Sequence, residues 1–216
     1  SKILMGTGGD LEIYHDGTNS HITNATNDLK IFNTGDDIII QAADNIDLFV
    51  QGGEMAAQFR GNDGVDLYHN STKKFSTTSA GTQTKFSATS NTDGDAAGDI
   101  VYLGETSTTA GRIYYYTSGG AWELTDADAV STSKGMLGVA LGAGSGANGM
   151  LLRGMVTLNH DPGTVGDTLF LSTATGAASV TAPSGSGDIV RIIGYCLNSS
   201  NGQIYFNPDG AFVEVA

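Results

Sequence analysis

The residues best suited to metal or proton chemistry are the four histidines, at positions 15, 21, 69 and 160. No two are spaced as His-x-His or His-Glu-x-x-His, the patterns that bring two imidazoles onto one face. His15 and His69 close two similar stretches of sequence. Three copies around a threefold axis could set such rings about one ion; the plainer reading is a turn histidine bonded within its own hairpin. Asp36-Asp37, Asp93 with Asp95, and Asp126 with Asp128 bring carboxylates close together. None sits in a calcium loop with alternating oxygen donors, a Gly and a closing Glu, so they read as solvated turn carboxylates. Ser145 and Ser186 lie in Gly-Ser stretches without the strand-turn-helix setting of a nucleophile. Gly142 to Gly146 lack the Lys and Ser/Thr of a phosphate loop. Cys196 is the only cysteine, too few for a disulfide or a zinc site. A polysaccharide-cleaving enzyme would need paired carboxylates, and Glu105, Glu123, Asp126 and Asp128 are the acids near the aromatics. No catalytic residue, cofactor or metal is expected.

The aromatics say more. Tyr114-Tyr115-Tyr116 runs through Thr117-Ser118-Gly119-Gly120-Ala121 into Trp122, a strand-turn-strand in which consecutive tyrosines face opposite sides. Tyr115 and Trp122 are expected as surface or receptor contacts, together with the polar loop Asn198-Ser199-Ser200-Asn201. Packing within the hairpin is the competing account.

Such residues must be held by strands. Gly 31, Thr 24, Ser 18 and Asn 13 make up 86 of the 216 residues, whereas a 39% hydrophobic share argues against disorder. The formal charge of -13 disfavours nucleic acid and anionic membranes as partners. No apolar run approaches the roughly 20 residues of a membrane-spanning helix, and the N-terminus does not read as a signal peptide, so no membrane insertion is expected.

Apolar residues alternate in short stretches bounded by Gly, Asn or Asp, the pattern of strands and turns. Strands are expected at Leu11 to Tyr14, Leu29 to Phe32, Ile38 to Ile40, Ile46 to Val50 and Val65 to Tyr68. The starts at Leu29, Ile38 and Ile46 are nine and eight residues apart, and a repeat this short must stack on neighbours or on other chains. A longer echo relates Leu11-Glu12-Ile13-Tyr14-His15-Asp16-Gly17-Thr18 to Val65-Asp66-Leu67-Tyr68-His69-Asn70-Ser71-Thr72. The second half repeats as well: Gly98 to Leu103 matches Gly166 to Leu171, and Leu137 to Leu151 matches Ile193 to Ile204, both as hairpins whose second strand follows Asn-Gly. Only Thr125 to Thr132 reads as a helical turn. The fold class is all-β, with residues 1–86 as a repetitive shaft, 87–97 as a connector, and 98–216 as a compact antiparallel β-barrel or β-sandwich.

Asp10 to Ser20 and Val65 to Phe75 resemble the repeats in fibre and other virion structural proteins of marine tailed bacteriophages, especially those of cyanobacteria. Gly135 to Ala216 is similar to a terminal domain found behind such repeats. The resemblance implies a homotrimer with a slender, intertwined β-helix or β-prism shaft and a β-rich tip for host-surface recognition or fibre capping. It also implies a place on the exterior of a particle assembled in the host cytoplasm, other virion proteins as partners, and a host surface glycan or protein as the target. A head fibre or capsid decoration protein is the alternative, and a polysaccharide-cleaving tip the second. Independently of the resemblance, Ile38, Ile40, Leu48 and Val50 are expected to form a trimer core, because a thin chain has no interior to cover both faces of its strands.

Overall fold

A computed structural model describes residues 2–87 and 89–216. The fold is nearly all β, with 41% strand and 4% helix. Strands β1 (Lys2–Met5), β2 (Leu11–His15) and β3 (Ser20–Asn24) form an antiparallel meander. Asp16 closes the β2–β3 turn, its Oδ1 accepting the amides of Thr18 and Asn19 at 2.8 and 2.7 Å. A second meander follows, with β4 (Ile46–Val50), β5 (Glu54–Phe59), β6 (Val65–His69), β7 (Thr72–Thr78) and β8 (Gly81–Thr84) in sequence order. The turn after β6 holds Asn70 and Ser71 at φ 48° and 54°, the paired positive angles of a type I′ hairpin.

Between the meanders, two expected strands do not form. Leu29 to Phe32 and Ile38 to Ile40 belong to no sheet. Alternation gives a segment the right faces, but a strand also needs a neighbour to take its backbone hydrogen bonds, and this chain folds none against them. Their side chains stand open, with Phe32 and Ile39 each 82% exposed. Across the described residues of this N-terminal part, only Ala57, Gly64, Asp66 and Ser76 are buried. It has no buried large apolar side chain.

The C-terminal part is built differently. Its elements are β9 (Ala96–Val101), β10 (Ile113–Tyr116), β11 (Trp122–Leu124), the helical turn α1 (Val130–Ser133), β12 (Leu137–Ala140), the turn α2 (Ser145–Asn148) and β13 (Met150–Thr157). These are followed by β14 (Thr168–Leu171), β15 (Ala178–Ser179), β16 (Ile189–Val190), β17 (Ile192–Cys196), β18 (Gln203–Phe206) and β19 (Val213–Glu214). Apart from the small β16–β19 pair, all the strands join one antiparallel nine-stranded sheet that curls into a half-barrel. The long strand β13 organises it: β9 runs along one edge, while the other edge takes β12 and then β18. The two expected hairpins are present as β12–β13 and β17–β18. The sequence echo between Gly98 to Leu103 and Gly166 to Leu171 is not carried into the topology. β9 pairs with the second arm of its hairpin, whereas β14 pairs with the first arm of its own.

Inside the curl pack Ile113, Leu137, Val139, Leu151, Val156, Leu169, Leu171, Ile193, Ile204 and Phe206, each at most 2% exposed. The β9–β13 crossing admits no side chain. A Cβ on Gly98 would lie 2.1 Å from the Arg153 carbonyl oxygen, and one on Gly154, whose φ is +140°, 2.3 Å from that of Ala97. Arg191, 4% exposed, clamps two segments, donating to the carbonyls of Asp209, Ser133 and Gly135 at 2.8, 2.6 and 3.0 Å. Residues expected as connector also bond into this sheet: Gly94 N donates to Thr157 O at 2.8 Å, and Thr157 Oγ1 to Ser90 O at 2.6 Å.

Candidate functional site

Alternation along β10 sorts the three tyrosines. Tyr114 is 5% exposed, and its hydroxyl accepts the Thr109 amide at 2.8 Å. Tyr115 and Tyr116 are half-buried. The Tyr115 hydroxyl donates to Glu123 Oε2 at 2.6 Å across the β10–β11 pair, and that bond to a carboxylate raises its pKa above the ordinary tyrosine value. Trp122 corrects the expectation of a surface contact: it is 1% exposed. Its indole N–H donates to Leu103 O at 2.8 Å, and its ring packs on Tyr116 with centroids 4.9 Å apart. A buried tryptophan needs an acceptor for its one polar atom; here the loop after β9 supplies it, so the ring serves the core.

The Asn198 to Asn201 loop connects β17 to β18. Ser199 and Ser200 are exposed there, while Asn198 and Asn201 are half-buried and the Asn198 side chain accepts the Ser200 amide at 3.0 Å. In the sheet, β12 and β13 stand between β10 and β18. Tyr115 and this loop therefore do not share a surface through neighbouring strands. What does gather beside Tyr115 is a hollow of about 410 Å³ lined by Tyr115, Tyr116, Thr117, Ser118, Ser131, Lys134 and Gly135. Ser131 comes from the α1 turn and Lys134 directly follows it, a contribution the sequence reading missed.

Three of the acids near the aromatics have local partners. Glu123 is engaged by Tyr115. Asp126 accepts the Asp128 amide at 3.1 Å through one oxygen and the Thr175 hydroxyl at 3.1 Å through the other. Burial, with Asp126 and Asp188 nearby, pushes the Asp128 pKa up. Among the described residues, no group of three or more His, Cys, Asp or Glu side chains is placed to hold a metal ion. Cys196 is buried, and that burial raises its thiol pKa, away from the reactive thiolate.

Two of the histidines settle within the β2–β3 hairpin. His15 Nδ1 lies 3.3 Å from Ser20 Oγ across its own hairpin, and His21 Nε2 lies 2.8 Å from Asp16 Oδ2. The Asn19 and Thr18 amides, with His21, lower the Asp16 pKa to about 2. His21 also stacks on Tyr14 at 4.8 Å, and the Lys2 ammonium lies 4.4 Å from the same ring. The 54-residue echo gains a meaning from these contacts: Glu12 binds Lys2 at 2.7 Å, and its counterpart Asp66 binds Lys73 at 3.1 Å as well as Arg60. Burial raises the Asp66 pKa, but the Lys73 hydrogen bond and the Arg60 charge outweigh it, and the net shift is downward.

The four residues expected to form a trimer core are open within one chain. Ile38, Ile40, Leu48 and Val50 are 51%, 71%, 49% and 51% exposed. They continue a run with Leu29, Ile31, Phe32, Ile39 and Phe49, all exposed as well. No family model, curated protein or solved structure matches this chain.

Proposed function

We propose that this chain is a non-enzymatic virion fibre protein of a tailed bacteriophage. It acts as a homotrimer with an intertwined β-structured shaft and a C-terminal tip that contacts the host surface or caps the fibre. The uncovered apolar run carries the reading. Nine large apolar residues between Leu29 and Val50 are exposed in the single chain, an arrangement that a monomeric surface rarely tolerates and that marks an interface. Two of their segments are unpaired, so both backbone and side chains ask for partners, and identical chains around a threefold axis supply both at once. Burying each such side chain is worth about 1.5–3 kcal/mol, multiplied by three in the trimer. The resemblance of Asp10 to Ser20 and Val65 to Phe75 to phage fibre repeats supports the same reading. A head fibre or capsid decoration protein shares this architecture and differs in where the particle holds it.

Light scattering on the purified protein tests the assembly. The expected mass is three times 22.2 kDa. A folded monomer at micromolar concentration overturns the proposal, and labelling of the intact particle separates tail from capsid.

A further inference from the structure

We propose that the hollow beside Tyr115 and Tyr116 is a saccharide site selective for acidic sugars, such as uronic acids. The inference rests on the reading of the C-terminal part as a tip, and it names the chemistry that tip takes. At about 410 Å³, the hollow falls within the ~300–1,000 Å³ of small-molecule sites. Its aromatic wall is the Tyr115 ring, fixed before any ligand arrives because Glu123 holds its hydroxyl at 2.6 Å across the β10–β11 pair. Rings held in this way can stack on the C–H face of a pyranose at little entropic cost. Thr117 Oγ1 is committed to its own turn, bonding the Ala121 backbone. The hydroxyls of Ser118 and Ser131 have no intramolecular partner among the described residues and are left for sugar hydroxyls.

Charge decides the class. Lys134 is the only charged residue lining the hollow; it is exposed, and it makes no ion pair among the described residues. Residues 87–216 carry 12 acids and only 4 Lys or Arg, a net of -8. A lone ammonium beside an aromatic wall in so acidic a surface is a point of contact for a carboxylate, since a charge-assisted hydrogen bond is about twice as strong as a neutral one.

The test titrates the intact protein, by NMR or calorimetry, with a uronic-acid tetrasaccharide and with its carboxyl-reduced neutral counterpart. The acidic sugar is expected to bind at least about tenfold more tightly. Lys134→Gln, a change at an exposed position, should bring the two affinities together, while Tyr115→Ala should weaken both. Equal affinity for the two sugars, an unaffected Lys134→Gln, or no binding to the folded protein overturns the proposal. The hollow lies within one chain, so light scattering on the same samples tells its failure apart from that of the trimer.

Discussion

Residues 2–87 and 89–216 use the same short alternating strands, yet only the second set encloses a core. The N-terminal meanders bury Ala57, Gly64, Asp66 and Ser76 and leave their large apolar residues open, whereas the C-terminal sheet hides Trp122, Phe206 and a layer of Ile, Leu and Val. Strand pattern does not explain the difference; curvature does. A meander of neighbouring hairpins lies open on both faces, and an apolar face becomes interior only when a sheet curls on itself or another chain lies against it. The contrast separates a part whose apolar stability is carried within the chain from one that, under the proposed trimer, would draw it from assembly.

Paired substitutions should break this comparison most sharply. Trp122→Ala is expected to cost about 3–5 kcal/mol, because it opens a cavity in a packed interior and strands the Leu103 carbonyl. Ile39→Ser, at a side chain 82% exposed, should leave the melting of the C-terminal part unchanged and reduce assembly. Calorimetry and light scattering on both variants check the pair; loss of C-terminal stability in Ile39→Ser would erase the distinction. Next in size is Arg191→Met. It leaves the carbonyls of Ser133, Gly135 and Asp209 without their donor and is expected to destabilise the C-terminal part by about 2–4 kcal/mol, read by denaturant unfolding.

Features set by local chemistry were legible in the sequence. Asn-Gly marked the entry to β13, because positive φ favours glycine. Features depending on distant partners were not legible. Alternation around Trp122 cannot say which face is interior until Leu103, nineteen residues upstream, supplies the acceptor. The Asp66 cluster draws on Arg60 and on Lys73, the latter reached across a register shift between Leu67 and Tyr68. Leu29 to Phe32 reads as a strand by every local rule and lacks only a neighbour.

The smallest effect sharpens the comparison through pH. Burial, aided by the Arg112 charge, holds the His160 pKa below its ordinary 6.5. The neutral ring suits its site, where Nε2 accepts the Ala178 amide at 3.1 Å while Nδ1 faces Asn159 Oδ1 at 3.1 Å. The unfolded chain then takes up the proton first, so this contribution is complete above pH 6.5 and declines as pH falls through the lower folded-state value. Asp16 behaves likewise in a separate window. The stabilisation of its hairpin is present above 3.8 and is lost as pH falls through about 2. Melting of the C-terminal part between pH 7.5 and 5.5 should therefore drop in the wild type and flatten in His160→Gln. The Thr18 and Asn19 amide shifts should move only in the lower range.

Strand β13 also sets a clock. At Gly154 its two neighbours are Gly98, 56 residues earlier, and Phe206, 52 residues later. The closest pairs across these seams, Val101 with Met150 and Thr157 with Gln203, are still 49 and 46 residues apart, and non-local pairing of this kind places all-β domains in the millisecond-to-second range. The meanders, whose strands follow one another through short turns, can form hairpins in microseconds. Each new chain thus shows its fragile, sticky half early and completes its self-sufficient half late, after the ribosome has delivered Phe206. Crowded synthesis of several copies at once favours encounters between those open halves during the interval.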